Sequence, residues 1–253
     1  MENKCIHCLS CLNTSKKQGI EVKDRKICLH REKKEDWNAI VDACPTRALQ
    51  FDSTEYTIEQ LVTEIKKDEA FFKREGGVTI SGGEPFLQPE GLVALLKACH
   101  EEGIHTAIET SLFTDLHWVK QALPYLDQIY ADCKVFDTAL HQKYTGVKNT
   151  LILDNIRFLL QSDKKEHVII RTPLIPTMTA TKENIAAIAS FLVSVYPDVH
   201  YEILNYNPLA QSKYAYLDMD YCFEENPKLY TKEVMESFYN IARENGIHHL
   251  VIE

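Results

Sequence analysis

Cysteines near the N-terminus have a spacing suited to metal binding. Two residues separate Cys5 from Cys8 and Cys8 from Cys11, so one loop can wrap three thiolates around an iron–sulfur cubane. Cys44-Pro45 follows, and in two-cluster ferredoxins the cysteine of such a pair ligates the cluster held by the other run. We therefore assign Cys5, Cys8, Cys11 and Cys44 to a single [4Fe–4S] cluster. A zinc site is the competing interpretation, because the spacing is more specific for metal than for which metal.

The remaining cysteines do not supply a second cluster. Ser15 stands where the first run would have its own fourth cysteine, and Cys28 is followed by Leu29-His30-Arg31, which adds no thiol. We interpret Cys28 as a free thiol. Five of the eight cysteines fall before residue 45, a distribution that favours metal binding over disulfides in a cytosolic chain.

A second stretch combines a short apolar run with a glycine-rich loop. Val78-Thr79-Ile80 predicts a buried strand that opens into Ser81-Gly82-Gly83-Glu84-Pro85. Paired glycines let a backbone lie against a ligand without a Cβ in the way, and Glu84 beside them could hold a cationic group. For this motif in isolation, a tight turn after a strand is the simpler interpretation.

The elements around this loop alternate regularly. Thr57 and Gln60 form a capping-box pattern at the start of an amphipathic helix over 57–73. Further on the pattern predicts helices near 89–102, 115–125, 150–161, 181–195 and 231–245, and strands at 105–108, 128–132, 167–171, 199–204 and 247–252. Strands separated by helices predict an α/β fold with a parallel sheet, open or closed into a barrel.

Polar residues follow the predicted strands at their carboxyl ends. Because these ends meet at one edge of a parallel sheet, we expect the side chains to cluster. They are Glu84, Glu109, Thr110, Ser111, Asp132, Lys134, Arg171 and Asn205 to Asn207. A solvated loop residue or a helix cap is the alternative for each one singly. We interpret Asp137, His141 and Thr145-Gly146 as residues that shape the following loop.

Composition excludes several classes of protein. The chain has 253 residues, is 45% hydrophobic, and carries a formal net charge of -9, so we expect neither nucleic-acid binding nor a basic surface. We expect no membrane span, because no apolar run is long enough, and Met1 to Cys5 do not resemble a signal peptide. These features predict a cytoplasmic protein.

Ser-Gly-Gly-Glu-Pro after a strand, with an iron–sulfur-like cysteine segment upstream, resembles the radical S-adenosylmethionine superfamily. Nearly the whole chain is similar to the activating enzymes of glycyl radical enzymes, the pyruvate formate-lyase activating enzyme type, in the subgroup with a ferredoxin-like insert. The resemblance implies that Gly82, Gly83 and Glu84 receive the methionyl amino group of the cofactor. It places Glu109, Thr110, Asp132-Cys133-Lys134, Arg171 and Asn207 around the rest of S-adenosylmethionine.

The resemblance also implies a reaction and its partners. A reduced cluster gives S-adenosylmethionine an electron, and the resulting 5′-deoxyadenosyl radical takes hydrogen from a glycine of a glycyl radical enzyme. A flavodoxin- or ferredoxin-type protein would supply the electron under anaerobic conditions. We expect a ferredoxin-like iron–sulfur segment over 1–54 and a partial parallel (β/α)6 barrel over 55–253.

This sequence departs from the family pattern in one respect. The family's Cys-x3-Cys-x2-Cys loop lies on the first strand, before the insert, whereas this chain starts at the insert. We therefore expect a partial barrel without its first strand, which leaves the 78–81 strand with an unpaired edge. We interpret the chain as truncated or as having a start assigned too late, and expect that it does not cleave S-adenosylmethionine by itself. A non-catalytic iron–sulfur electron-transfer or S-adenosylmethionine-binding protein is the alternative.

Overall fold

The computed structural model describes residues 2–72, 76–209, 211, 214 and 220–252, which divide into two compact units. The first ends at Tyr56 and the second begins at Thr57. None of the described helices is long and apolar enough to cross a membrane.

The small unit contains one hairpin and two short helices. Strands β1 (Ile20–Lys23) and β2 (Lys26–Leu29) pair antiparallel, with Ile20 opposite Leu29. Helices α1 (Ser10–Thr14) and α2 (Trp37–Asp42) flank the hairpin in the chain, and a 3-10 turn spans Glu2–Lys4. Its buried apolar side chains are those of Ile20, Ile40 and Ala48. Its ferredoxin-like character stays a prediction.

The position of the missing fourth cysteine has a structural role. Ser15 Oγ donates a 2.6 Å hydrogen bond to Glu35 Oε1, and the same oxygen accepts from the backbone nitrogens of Lys17 at 2.6 Å and Gly19 at 2.9 Å. The backbone nitrogen of Lys16 donates to Glu35 Oε2 at 3.1 Å. The Ser15 hydroxyl and these backbone donors lower the Glu35 pKa to about 2. The Glu35 carboxylate therefore fixes the turn that leads into β1.

We expect this carboxylate to make the stability of the small unit depend on pH in the acid range. The pKa of Glu35 in the folded chain, about 2, lies below its ordinary 4.5, so its contribution to stability is present above pH 4.5 and is lost towards pH 2. We expect the urea midpoint of the small unit to fall further over this range in the unsubstituted chain than in Glu35→Gln. Trp37 fluorescence in a Trp118→Phe background measures it. Equal pH slopes in the two chains would show that the carboxylate is not an anchor.

The second unit is built on one parallel sheet. Among the described residues, six strands lie in chain order, each paired parallel with the next. They are β3 (Gly77–Ile80), β4 (His105–Thr110), β5 (Gln128–Asp132), β6 (Val168–Pro173), β7 (His200–Leu204) and β8 (His249–Val251). The predicted α/β fold with a parallel sheet is confirmed. Within the described residues β3 lies at one edge and pairs only with β4.

Helices precede and connect these strands, most of them close to the predicted positions. They are α3 (Ile58–Lys66), α4 (Glu69–Phe72), α5 (Pro89–Glu101), α6 (Leu116–Ala122), α7 (Thr138–Thr145), α8 (Thr150–Leu160), α9 (Lys182–Val195) and α10 (Lys232–Glu244). The 3-10 turns are Pro85–Leu87, Leu123–Tyr125 and Lys165–His167. The capping box predicted for Thr57 and Gln60 is present at the start of α3.

Two helix predictions were wrong in detail, and one helix was missed. The helix expected over 57–73 is interrupted, because α3 ends at Lys66 in i to i−3 bonds and α4 starts only at Glu69; residue 73 lies outside the described residues. The helix expected over 115–125 ends at Ala122 and continues only as the 3-10 turn Leu123–Tyr125, since Pro124 has no N–H to donate to the i−4 carbonyl. Helix α7 was not expected: Asp137 caps its start and Gly146, with a φ of 83°, ends it.

The two faces of the sheet differ in chemistry. Alternate residues such as Ile129 and Ala131 of β5 point into an apolar core shared with the helices. Tyr130 and Asp132 on the other face are half-buried. Side chains on this second face are therefore available to a ligand where the strands end.

Candidate functional site

Glu84 ties the loop after β3 to the end of β4. Its Oε1 accepts hydrogen bonds from Thr110 Oγ1 at 2.7 Å and from the Phe86 nitrogen at 3.2 Å. Its Oε2 accepts from the Ser111 nitrogen at 2.7 Å and from Ser111 Oγ at 2.6 Å. Four protein donors thus surround this carboxylate. Its observed role is to hold two strand ends together, and a ligand ammonium would share oxygens that already accept bonds.

The two glycines of this loop leave their surroundings open. A Cβ added at Gly82 or at Gly83 would meet no atom within 4 Å. Gly82 has a φ of 123°, which side chains rarely adopt, so the backbone itself requires glycine there. The φ of Gly83 lies outside the left-handed region, so neither backbone strain nor packing demands a glycine at this position. A ligand that approaches the backbone closely would explain it.

A second group of polar side chains crosses the sheet from β3 to β7. Ser81 Oγ donates to Glu109 Oε2 at 2.7 Å, and Arg171 Nη1 donates to Glu109 Oε1 at 2.8 Å. These two bonds, that from Ser81 first, lower the pKa of Glu109. Arg171 Nε also lies 2.8 Å from Glu202 Oε2, an ion pair without hydrogen-bond alignment. Arg171 is thus held between two carboxylates.

The strand register explains how Arg171 reaches these partners. Arg171 lies opposite Asp132 of β5 on one side and opposite Glu202 of β7 on the other. The guanidinium also lies over the ring of Tyr130, 5.0 Å from its centroid. Burial acts to lower the pKa of Arg171, but the bond to Glu109 and the charges of Glu202, Glu109 and Asp132 raise it overall. Arg171 is therefore a fixed cation at the carboxyl ends of the strands.

Lys134 is the second cation of this edge. Its Nζ lies 3.1 Å from Asp132 Oδ2, and both side chains are partly exposed. Cys133 between them does not join the group, because its thiol is 2% exposed in the core. Burial, with the nearby charge of Asp132, raises its pKa to about 12. Successive side chains of an extended chain point to opposite faces of the sheet, so the sequence alone could have shown that Cys133 points away from Asp132 and Lys134.

The asparagines after β7 behave differently from one another. Asn205 Nδ2 donates to the Tyr230 carbonyl at 2.9 Å, while its Oδ1 accepts from the Tyr230 and Tyr206 nitrogens. Asn207 is exposed and its Oδ1 accepts from the Leu209 nitrogen at 3.0 Å. The Asn205 side chain therefore holds the loop in place, whereas the Asn207 side chain is exposed on its surface.

The four predicted cluster ligands, among the five cysteines of the small unit, are free thiols. Cys8 is exposed, whereas Cys5, Cys11 and Cys44 are partly buried. Burial raises the pKa of Cys11, and the charges of Cys44 and Cys5 add to this effect. Among the described residues, no group of three or more His, Cys, Asp or Glu side chains is arranged to hold a metal ion. The four thiols suit a [4Fe–4S] cluster as a donor set, and their ligation stays a prediction.

Hydrogen bonds favour the thiolate form at two of these cysteines. Cys8 Sγ and Ser10 Oγ form a 3.4 Å hydrogen bond, and this contact lowers the Cys8 pKa. Burial acts to raise the pKa of Cys44, but the Leu49 nitrogen, which donates to Cys44 Sγ at 3.4 Å, and the Thr46 hydroxyl lower it overall. Thiolate is the form that ligates metal.

Glu202 and Tyr130 were missed by sequence reasoning. Glu202 is a carboxylate inside the apolar strand β7, 6% exposed, and a charge in such a strand is itself a signal. Tyr130 gave no comparable signal, since aromatic residues are common in strands.

Comparison with known proteins adds an independent line of argument. The family described as the Radical SAM superfamily matches residues 43–192. The indoleacetate decarboxylase activating enzyme of Tractidigestivibacter scatoligenes is 33% identical, over 86% of this chain and 72% of that protein. The 4-hydroxyphenylacetate decarboxylase activating enzyme of Clostridioides difficile is 34% identical, over 97% and 77%. The crystal structure of a domain of pyruvate-formate lyase-activating enzyme from Bacteroides vulgatus superposes with a TM-score of 0.55 at 29% identity, over 70% of this chain and 98% of that one.

Proposed function

Because the chain belongs to the radical SAM superfamily, we propose that it is the activating enzyme of a glycyl radical enzyme. The family predicted from the sequence is thereby confirmed. Enzymes of this superfamily use a [4Fe–4S] cluster and S-adenosylmethionine. The observation that carries the proposal is the open backbone at Gly83, at the edge of the sheet where Arg171 and Lys134 also lie, on a chain whose relatives are activating enzymes.

The residues at the strand ends have distinct roles in this proposal. The backbone of Gly82 and Gly83 receives the methionyl end of S-adenosylmethionine, and Glu84 holds this backbone against β4. Lys134 and Arg171 face the methionyl carboxylate. When bound, the cluster and S-adenosylmethionine supply a one-electron cleavage whose carbon radical can remove hydrogen from a glycine of the partner. The chain's own part is to bind, orient and shield the reactants.

Cys5, Cys8, Cys11 and Cys44 hold one [4Fe–4S] cluster in this proposal. We expect about four irons per chain after anaerobic reconstitution, measured with a matching sulfide assay. Cys44→Ala should lose most of this iron, because it removes a thiolate ligand. Cys28→Ala is the matched control and should keep it. About eight irons, zinc in place of iron, or unchanged iron in Cys44→Ala would contradict the assignment.

The reaction is tested with two forms of the protein, the chain as it stands and the chain preceded by a Cys-x3-Cys-x2-Cys segment. Each is reconstituted anaerobically and given S-adenosylmethionine, dithionite and a glycyl radical enzyme, with indoleacetate decarboxylase and 4-hydroxyphenylacetate decarboxylase as candidates. We expect 5′-deoxyadenosine and a glycyl radical signal from the extended form only, since four thiolates leave no iron of the cluster open. Binding without cleavage in both forms would favour the non-catalytic alternative.

The electron donor and location complete the proposal. A flavodoxin- or ferredoxin-type protein supplies the electron, as the family resemblance implies. The cytoplasm is the proposed location, which rests on the free cysteines and the iron–sulfur assignment.

A further inference from the structure

Asn184 is a buried side chain that makes three hydrogen bonds to the backbone of two loops. It lies in the first turn of α9, 9% exposed. Its Oδ1 accepts from the Phe136 nitrogen at 2.9 Å. Its Nδ2 donates to the carbonyls of Lys134 at 2.9 Å and Thr179 at 3.0 Å. A single amide therefore joins the loop after β5 to the loop after β6.

These two loops follow the strands that carry the cations of the site. Lys134 is the second residue after β5, and its own carbonyl is one acceptor of Asn184. Arg171 is near the end of β6, whose last residue Pro173 accepts a hydrogen bond from Thr179 Oγ1. The same hydroxyl accepts from the Ile175 nitrogen at 2.6 Å. The contacts therefore run from Lys134 through Asn184 and Thr179 to the end of the Arg171 strand.

We propose that Asn184 is a positioning residue that sets Lys134 relative to Arg171 for recognition of an α-amino-acid carboxylate. This inference rests on the proposed function, in which the carboxylate belongs to S-adenosylmethionine. Lysine is a point charge on a flexible four-carbon stem, so the position of the ammonium group depends on how firmly the backbone of Lys134 is held. Arg171 is fixed by its two carboxylates, whereas Lys134 has Asp132 and this backbone contact. The Cys133 nitrogen donates to the Arg171 carbonyl at 2.9 Å, which ties the two strands one residue before Lys134, and Asn184 adds the contact at Lys134 itself.

The test compares two ligands that differ only in the carboxylate. S-adenosylmethionine and its decarboxylated analogue are titrated calorimetrically into the full chain, into Asn184→Ala and into the isosteric Asn184→Asp, which lacks the amide donor. We expect the S-adenosylmethionine Kd to rise about tenfold in both variants, the effect of losing one well-aimed charged hydrogen bond. The Kd of the decarboxylated analogue should change by less than about twofold, because it does not use the two cations.

Thr106→Val is the control for a general loss of stability. Thr106 is fully buried near the start of β4, at the opposite end of the sheet, and its hydroxyl donates to the Tyr125 carbonyl. It should weaken folding and leave both dissociation constants unchanged. An equal change for both ligands, or no change, in the Asn184 variants would overturn this inference alone. No S-adenosylmethionine binding by the unsubstituted chain would overturn the proposed function and the inference with it.

Discussion

Gly83→Val is expected to weaken S-adenosylmethionine binding about a hundredfold while leaving the fold intact. A Cβ at this position would meet no protein atom within 4 Å apart from its chain neighbours, so we expect the added side chain to displace ligand and not protein. Crowding a tight contact with extra methyl groups costs about 1–3 kcal/mol, and a hundredfold lies near the upper end of that range. Calorimetric titration measures the affinity, and urea denaturation measures the free energy of unfolding. We expect the latter to change by less than about 1 kcal/mol.

Gly91→Val is the matched control for this substitution. Gly91 also has open space for a Cβ and a φ outside the left-handed region, but it lies in the first turn of α5. We expect Gly91→Val to bind S-adenosylmethionine with the same affinity as the unsubstituted chain. Gly82→Ala differs from both, since its φ of 123° strains any side chain and should lower stability. Unchanged affinity in Gly83→Val would refute the assignment of the open space to the ligand.

Sequence reasoning could place the site at one edge of the sheet because the carboxyl ends of parallel strands lie at the same edge. Strands alternating with helices predicted that topology, and it is confirmed. Glu84, Thr110 and Ser111 were expected to cluster for this reason, and the structure brings them into direct hydrogen bonds. The sequence did not show which partner Glu84 binds. We assigned its carboxylate to a ligand, whereas the carboxylate accepts four hydrogen bonds from the protein.

The features that sequence reasoning missed depend on contacts across the fold. Glu202 belongs to the site because its Oε2 lies 2.8 Å from Arg171 Nε. The pairing of β6 with β7 places the two residues opposite each other. Asn184 is an ordinary helix residue until the loops around Lys134 and Thr179 are placed next to it. Helix α7 has only eight residues and little amphipathic pattern, so its two caps, Asp137 and Gly146, were interpreted as parts of a loop.

Arg171→Met is expected to destabilise the chain by about 3 kcal/mol at neutral pH. Breaking a buried ion pair by removing one partner costs about 3–5 kcal/mol, since the remaining charge stays in a poorly solvated place. Glu202 is that remaining charge, with an 8% exposed side chain, and Arg171 itself is 17% exposed. Methionine keeps much of the length of the arginine stem. The decrease in the free energy of unfolding therefore reflects the missing charge and its hydrogen bonds. Urea denaturation followed by circular dichroism measures it.

The pH dependence of this loss identifies its origin. After Ser81, Arg171 lowers the pKa of Glu109 in the folded chain below its ordinary 4.5, so the part of this stabilisation that Arg171 contributes is present above pH 4.5 and is lost as pH falls through the folded pKa. The difference between the two chains should therefore be largest above about pH 5 and shrink in acid. Arg243→Met is the control: its pair with Glu236 is exposed on both sides and should contribute at most about 1 kcal/mol. If Arg171→Met loses no more than this control, the charged group at the strand ends does not stabilise the fold, and Arg171 would be held in place by its packing against Tyr130.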